Sequence, residues 1–314
     1  MNLVTLKGLM RTFTVSKAPY AVLTLKLSKN SSFITFRNGC RFKLTFAQFR
    51  TLRDSYSFMK NYPMQQLNDD LFSVDFGTLK LTESLAIVCM IGDLLQKYDI
   101  KKVNENLFRI KSDKLELVGS WDIMQPFWEI INGMYSCDCK GKVVLDIGGF
   151  QGESAVYFSS IGAKKVVIYE PVPSNFEFIE RNVSLNYVNA ETHLMGIGSK
   201  DGTQTIHFEK INAGLGSKTK GQFEMQIKLR NISDVIDESG AEVAKIDCEG
   251  AEESLIGVSD EILGKIRLYM IEVHSSEIRR ALLEKFQAAG FSRFKEKNWG
   301  NPELSVVFFE KNEK

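Results

Sequence analysis

Two rhythms of apolar and polar positions run along the chain. Up to about residue 118 the segments are short and mixed. Residues 21–27, 33–36 and 41–44 alternate apolar with polar side chains, as half-buried strands do, and Asn38-Gly39 between the last two is a hairpin signal. Residues 46–60 predict a helix ending before Pro63, and residues 72–76 and 79–81 a β pair turning at Gly77. Thr82 is placed to cap a helix running to about Tyr98, with Leu85, Val88, Ile91, Leu94 and Leu95 on one face. Short strands flank Ser112-Asp113. Ser120 then opens a helix over 121–134 whose aromatic face should dock on the main domain.

From residue 141 the rhythm is regular. Strand-like runs at 142–147, 165–169, 192–197, 242–247, 265–273 and 305–309 alternate with helix-like stretches at 152–161, 174–187, 251–256 and 276–289. Alternation of this kind predicts an α/β domain built on a doubly wound, mostly parallel sheet. Residues 1–118 are expected to form an α+β accessory domain, and residues 119–314 the α/β domain. Residues 203–238 interrupt the alternation as a β-rich insertion, with Gly214, Gly216 and Gly221 in its loop. Ligands of such sheets bind beyond the carboxyl ends of the strands. That directs attention to Asp146, Glu170, Gly198-Ser199, Asp247 and His274.

Composition narrows the setting. The longest apolar runs fall far short of the ~20 residues that cross a bilayer, and the first residues lack the apolar core of a signal peptide. Five cysteines in 314 residues form no disulfide framework, so a reducing, cytoplasmic setting is expected. Cys137 and Cys139 could supply two zinc ligands, but no matching pair occurs elsewhere. The net charge of +1 hides an asymmetry: residues 1–60 hold eleven Lys/Arg and one acid, Asp54. Such a segment suits phosphate backbones such as RNA, anionic headgroups or an acidic substrate. It equally suits a solvated surface balanced by the acidic remainder.

The chemistry concentrates at two places. In Val143-Val-Leu-Asp146-Ile-Gly148-Gly149-Phe-Gln-Gly152 an apolar run ends in an acid, and a glycine turn and a helix start come next. A dinucleotide site wants G-x-G-x-x-G; counted from Gly148, Phe150 and Glu153 stand where its second and third glycines belong. Asp146-x-Gly148-x-x-x-Gly152 is instead the spacing typical of S-adenosylmethionine (SAM) sites. Glu170-Pro171 ends the next strand, where a carboxylate can accept two ribose hydroxyls and Pro171 stiffens the turn; the alternative is an ordinary exposed glutamate. Asp146 could hold the glycine turn, Glu153 and Ser154 could meet the methionine moiety, and Ser199 the adenine edge. In Lys245-Ile-Asp247-Cys-Glu249-Gly-Ala-Glu252, carboxylates and a lysine ring a strand end, and Ile271-Glu-Val-His274 supplies a histidine nearby. Methyl transfer to a hydroxyl needs positioning and a base within reach. Asp247, Glu249 and His274 are the candidates, against structural caps or salt-bridge partners. The same three could ligate a divalent ion, but no metal is assigned.

Residues from about 120 to 311 resemble the FkbM family of SAM-dependent methyltransferases. The resemblance rests on residues 144–152, 169–175 (Tyr-Glu-Pro-Val-Pro-Ser-Asn), 182–186 (Asn-Val-Ser-Leu-Asn), 198–202, 245–252 and 271–274, in that order and spacing. Gly149 and Phe150 stand where the family commonly has Ala-Asn, and Ser199 where it often has Asp. The resemblance implies a class I methyltransferase fold and O-methylation of a sugar, glycan or small natural product. It implies cofactor roles for Asp146, Gly148, Gly152 and Glu170, and reaction-side roles for Lys245, Asp247, Glu249 and His274. The alternatives are an RNA methyltransferase gripping phosphates through residues 1–60, and a SAM-fold binding protein without turnover.

Overall fold

Asn38-Gly39 turns the chain between β1 (Ser32–Thr35) and β2 (Arg41–Leu44), which pair antiparallel. The computed structural model describes Ser16 and residues 31–208, 223–298 and 305–311. The run expected at 21–27, the basic residues before 31 and Gly214, Gly216 and Gly221 lie outside them. The chain divides into two units, Met1–Ser112 and Asp113–Lys314.

In the first unit Thr45 and Gln48 close a capping box at the start of α1 (Phe46–Met59). β3 (Met64–Gln66), β4 (Leu71–Asp75) and β5 (Lys80–Ser84) form an antiparallel sheet. Thr82 does not cap the next helix. It sits in the ladder opposite Ser73, and β5 runs on to Ser84, whose hydroxyl accepts from the Ile87 amide and caps α2 (Leu85–Leu95). The antiparallel pair β6 (Asp99–Lys102) and β7 (Phe108–Lys111) comes next. The core here is aromatic: Phe36, Phe49 and Phe72 are buried, and Phe36 stacks on Tyr56 with centroids 5.4 Å apart.

The second unit begins with β8 (Glu116–Gly119). Ser120 caps a 3-10 turn, Trp121–Ile123, that leads into α3 (Met124–Ile131). Alternating strands and helices then build the unit: β9 (Val143–Ile147), α4 (Glu153–Ser160), β10 (Lys165–Tyr169), α5 (Pro173–Leu185) and β11 (Ala190–His193). Asn182 and Asn186 accept from the Val118 and Glu116 amides and donate back to their carbonyls, over 2.6–2.9 Å. These bonds tie β8 to α5 within the second unit.

After β12 (Gly196–Gly198), β13 (Gly202–Phe208) and β14 (Phe223–Asn231) come α6 (Ile232–Ser239), β15 (Val243–Ile246), a 3-10 helix Ala251–Gly257, α7 (Asp260–Leu263) and β16 (Leu268–Val273). α8 (Ser276–Ala288), β17 (Arg293–Lys297) and β18 (Ser305–Glu310) complete it. The central sheet has the order β11-β10-β9-β15-β16-β18-β17, parallel except for antiparallel β18. Both faces are covered, and β9, β10, β15 and β16 read as near-continuous buried runs. Strand order reverses between β9 and β15, and the crevice beyond their carboxyl ends is the expected ligand position.

Three further differences from the sequence reading appear. The single run 192–197 is two strands: β11 in the central sheet and β12 in a separate sheet ordered β12-β14-β13. Residues 203–238 include a helix, α6, as well as the β hairpin. β17, whose polar sequence Arg-Phe-Lys-Glu-Lys carries little strand signal, forms the sheet edge.

Candidate active site

The turn after β9 is packed so tightly that side chains are excluded. A Cβ on Gly148 would lie 1.7 Å from the Asp247 carbonyl oxygen, so the β9 and β15 loops touch backbone to backbone there. Gly148 and Gly152 also have φ of +77° and +88°, where glycine alone is unstrained. Phe150 sits between them at φ +46°. Each N–H of the turn is used within the protein. Those of Gly148 and Gly149 donate to the Tyr169 carbonyl (2.9 and 3.1 Å) and that of Gly152 to the Gly149 carbonyl (2.8 Å). Phe150 N–H donates to Glu170 Oε2 (3.0 Å) and Gln151 N–H to Glu153 Oε2 (3.2 Å). A pyrophosphate cradle needs such groups presented outward; this turn engages them within the protein.

Beneath the turn is a buried ionic set. Register places Lys245 opposite Asp146, with Nζ 3.3 Å from Asp146 Oδ1, and Lys245 donates to the Gly148 carbonyl (2.5 Å). Ser154 Oγ donates to Asp146 Oδ2 (2.5 Å). Burial acts to lower the Lys245 pKa, but Asp146, Asp247 and Glu153 outweigh it and hold the ammonium charged above its usual range. Burial pushes Asp146 up, opposed by Lys245 and Ser154. Glu153 is 2% exposed, and burial pushes its carboxyl to about 8.

Glu170 closes the other side. Its Oε1 accepts from the Val172 amide (2.9 Å) and Asn175 Nδ2 (3.3 Å), with Pro171 as the rigid link between Glu170 and Val172. Oε2 accepts only the Phe150 N–H among the described residues. Burial pushes Glu170 to about 7 against these three donors. Glu170 is thus a buried, oriented acceptor rather than an exposed strand-end residue.

The second cluster lies at the ends of β15 and β16. His274 Nδ1 lies 3.1 Å from Glu252 Oε1, which also accepts the His274 amide (3.2 Å); Glu252 Oε2 accepts the Gly250 amide (2.7 Å). Glu252 is fully buried, yet the histidine bond keeps its carboxyl below the ordinary value. His274 Nε2 is 3.6 Å from Glu249 Oε2 and 4.0 Å from Asp247 Oδ1. Burial would lower His274, but Glu252, Asp247 and Glu249 raise it to about 9. Asp247 Oδ2 is 3.8 Å from Lys245 Nζ and 3.4 Å from the Tyr135 hydroxyl, which donates to Glu272 Oε2 at 2.5 Å. Burial, then repulsion from Asp247, pushes Glu272 to about 7, and the same two causes raise Glu129. Asp247, Glu272 and His274 each offer a ligand atom within 4.8 Å of the others.

Residues 146–292 match the family model described as the methyltransferase FkbM domain. The second unit carries a methyltransferase FkbM domain. Its strand order and single antiparallel strand are those of a class I methyltransferase. The chain is similar over 97% of its length, and 97% of the other, to a Streptococcus mutans protein described as a candidate SAM-dependent methyltransferase (11% identity, TM-score 0.45). It is similar to the Methanococcus jannaschii fibrillarin pre-rRNA processing protein, covering 81% of this chain and 99% of that one (14%, 0.41). A third similar structure is M. jannaschii TYW2 in complex with AdoMet, covering 68% and 90% (12%, 0.40). No curated protein matches the sequence.

Within the FkbM domain the structure brings Asp146, Gly148, Gly149, Gly152, Glu153, Glu170 and Lys245 around one turn, and Asp247, Glu249 and His274 around the neighbouring ends of β15 and β16. Ser154 faces inward onto Asp146, and Lys245 is tied beneath the turn. Ser199 is exposed and directly succeeds β12, outside the central sheet. Glu252, Glu272, Tyr135 and Glu129 enter the second cluster although the sequence pattern does not single them out as site residues. Glu272 is legible in retrospect, two residues before His274 on a strand and so on the same face. Tyr135 carries no sequence signal; it reaches the cluster from beyond α3.

Proposed function

We propose that this protein is a SAM-dependent O-methyltransferase whose cofactor lies on the glycine turn and whose acceptor hydroxyl lies on the Asp247 side. The observation carrying this reading is the turn itself: its N–H groups are all engaged internally, which suits a cofactor without pyrophosphate, while Glu170 stands at its rim as an oriented carboxylate. When bound, SAM supplies an electrophilic methyl group on a sulfonium. Gly148 and Gly149 permit close backbone approach, and Glu170 Oε2, having the spare acceptor capacity, takes a ribose hydroxyl. Lys245 holds the turn through the Gly148 carbonyl and acts as a positioning residue. On the far side Asp247 and Glu249 orient the acceptor and receive its proton, while Glu252 fixes the His274 ring.

Two measurements test this. Glu170→Ala should weaken SAM binding by ~2–4 kcal/mol; unchanged affinity removes the ribose assignment. Asp247→Asn should spare SAM binding and lower turnover, and wild-type activity would exclude it from proton transfer. The acceptor class is read from methyl transfer with labelled SAM into glycan, lipid, RNA and small-molecule pools. A sugar or small natural product is the expected pool. The basic segment 1–60 favours RNA as the second reading. Against it, the reaction side gathers carboxylates, which repel phosphates. RNA affinity falling steeply with salt would support the RNA version, and salt-insensitive binding would sink it.

A further inference from the structure

The second cluster gathers four carboxylates, Asp247, Glu249, Glu252 and Glu272, about one imidazole. Glu252 closes on Nδ1 at 3.1 Å, whereas Asp247 and Glu249 stand off from Nε2. Asp247 Oδ1 and His274 Nε2 face one another at 4.0 Å, and Glu249 Oε2 stops at 3.6 Å from the same nitrogen. Here the ligand-type atoms of Asp247, Glu272 and His274 stand within 4.8 Å of each other, spaced as donors around a small ion.

The supporting groups point the same way. A metal-binding histidine nearly always gives its other ring nitrogen to a carboxylate, which fixes the ring and its tautomer. Glu252, fully buried, does this for His274 at 3.1 Å and accepts the His274 amide as well. That leaves Nε2 directed at Asp247 and Glu249. Glu272 is oriented by the Tyr135 hydroxyl, whose residue is buried. Asp247 turns Oδ2 toward Lys245 and Tyr135, leaving Oδ1 toward His274. The three donors come from the ends of adjacent parallel strands, β15 and β16, on the ligand side of the sheet.

We propose that Asp247, Glu272 and His274 form a divalent-cation site beside the acceptor position. One imidazole with two carboxylates suits Mn²⁺ or Fe²⁺, where an all-oxygen set would suit Ca²⁺. Resting on the methyltransferase reading, the ion's role is to draw in the acceptor's hydroxyl oxygen and acidify its proton; with Asp247 engaged as a ligand and so only orienting the acceptor, the proton passes to Glu249 alone. The bond balance is that of any methyl transfer: the C–S bond of the donor breaks, the O–CH₃ bond forms, and one proton leaves the alcohol.

The test uses the full chain, stripped with EDTA and dialysed, then titrated with MnCl₂ and followed by the Mn²⁺ EPR signal. SAM affinity is measured on the same samples. One Mn²⁺ per chain is expected. Glu272→Gln and His274→Ala should each weaken it by about tenfold or more, and Glu252→Ala by at least about tenfold through the unheld ring. Glu253→Gln, at an exposed acid next in sequence, should leave it unchanged. Normal SAM affinity in each variant shows that the domain is folded. SAM binding without Mn²⁺ binding, or Mn²⁺ binding indifferent to these substitutions, overturns the cation site and leaves the methyltransferase reading intact. Mn²⁺ binding lost with His274 in a protein that does not bind SAM keeps the cation site and overturns the other reading.

Discussion

Gly148 fixes the geometry of the FkbM domain through what it lacks. With a Cβ 1.7 Å from the Asp247 carbonyl, Gly148→Ala must separate the β9 and β15 loops or fail to fold. It should cost more than about 3 kcal/mol and abolish SAM binding. Gly141→Ala is the control, at positive φ but with open space around its Cβ, and should cost about 1 kcal/mol in urea unfolding. Glu153 yields a pH prediction. Its folded carboxyl, at about 8, lies above the ordinary 4.5, so the stability it contributes is full below 4.5 and is lost as pH rises through 8. Glu153→Gln should match the native protein near pH 5 and exceed it at pH 9 by on the order of 2–4 kcal/mol, read from thermal unfolding across pH. Both residues are visible in the sequence as part of a motif. Their burial is not: Glu153, Ser154 and Lys245 face the interior, where Glu153 accepts a turn N–H, Ser154 donates to Asp146 and Lys245 donates to the Gly148 carbonyl.

At the scale of elements, α5 is the clamp. Asn182, fully buried, accepts from the Val118 amide and donates to the Val118 and Gln151 carbonyls, joining β8 and the glycine turn through one side chain. Asn182→Ala leaves those backbone groups buried without partners and should cost about 2–4 kcal/mol. Hydrogen exchange should show the Val118 amide opening faster while the β9 and β15 amides keep their protection. Unchanged exchange at Val118 would contradict the clamp. The elements most legible in the sequence are those buried on both faces, β9, β10, β15 and β16, where continuous apolar runs leave little choice. Legibility fails where tertiary pairing decides. Nothing in residues 192–197 marks the point at which the chain leaves the central sheet, and β17 is an edge strand defined by pairing with β18. The Thr82 cap fails because a neighbouring strand claims that residue's backbone first.

At the scale of the molecule, the division at Ser112–Asp113 leaves the glycine turn, Glu170 and the His274 cluster all in the second unit. Residues 113–314 produced alone should therefore fold and bind SAM within about twofold of the full chain; loss of cofactor affinity would show that the site draws on the first unit. If the first unit chooses the acceptor, the isolated second unit should keep the cofactor while losing transfer to the native acceptor. The buried carboxylates have one more effect. Glu170 and Glu153, held by burial at about 7 and about 8, carry a substantial share of their protons at neutral pH. A sulfonium arriving beside them favours the ionised forms, so cofactor loading should expel protons into solution. The heat of SAM binding would then vary with the ionisation enthalpy of the buffer, and the affinity would rise with pH between about 6 and 8.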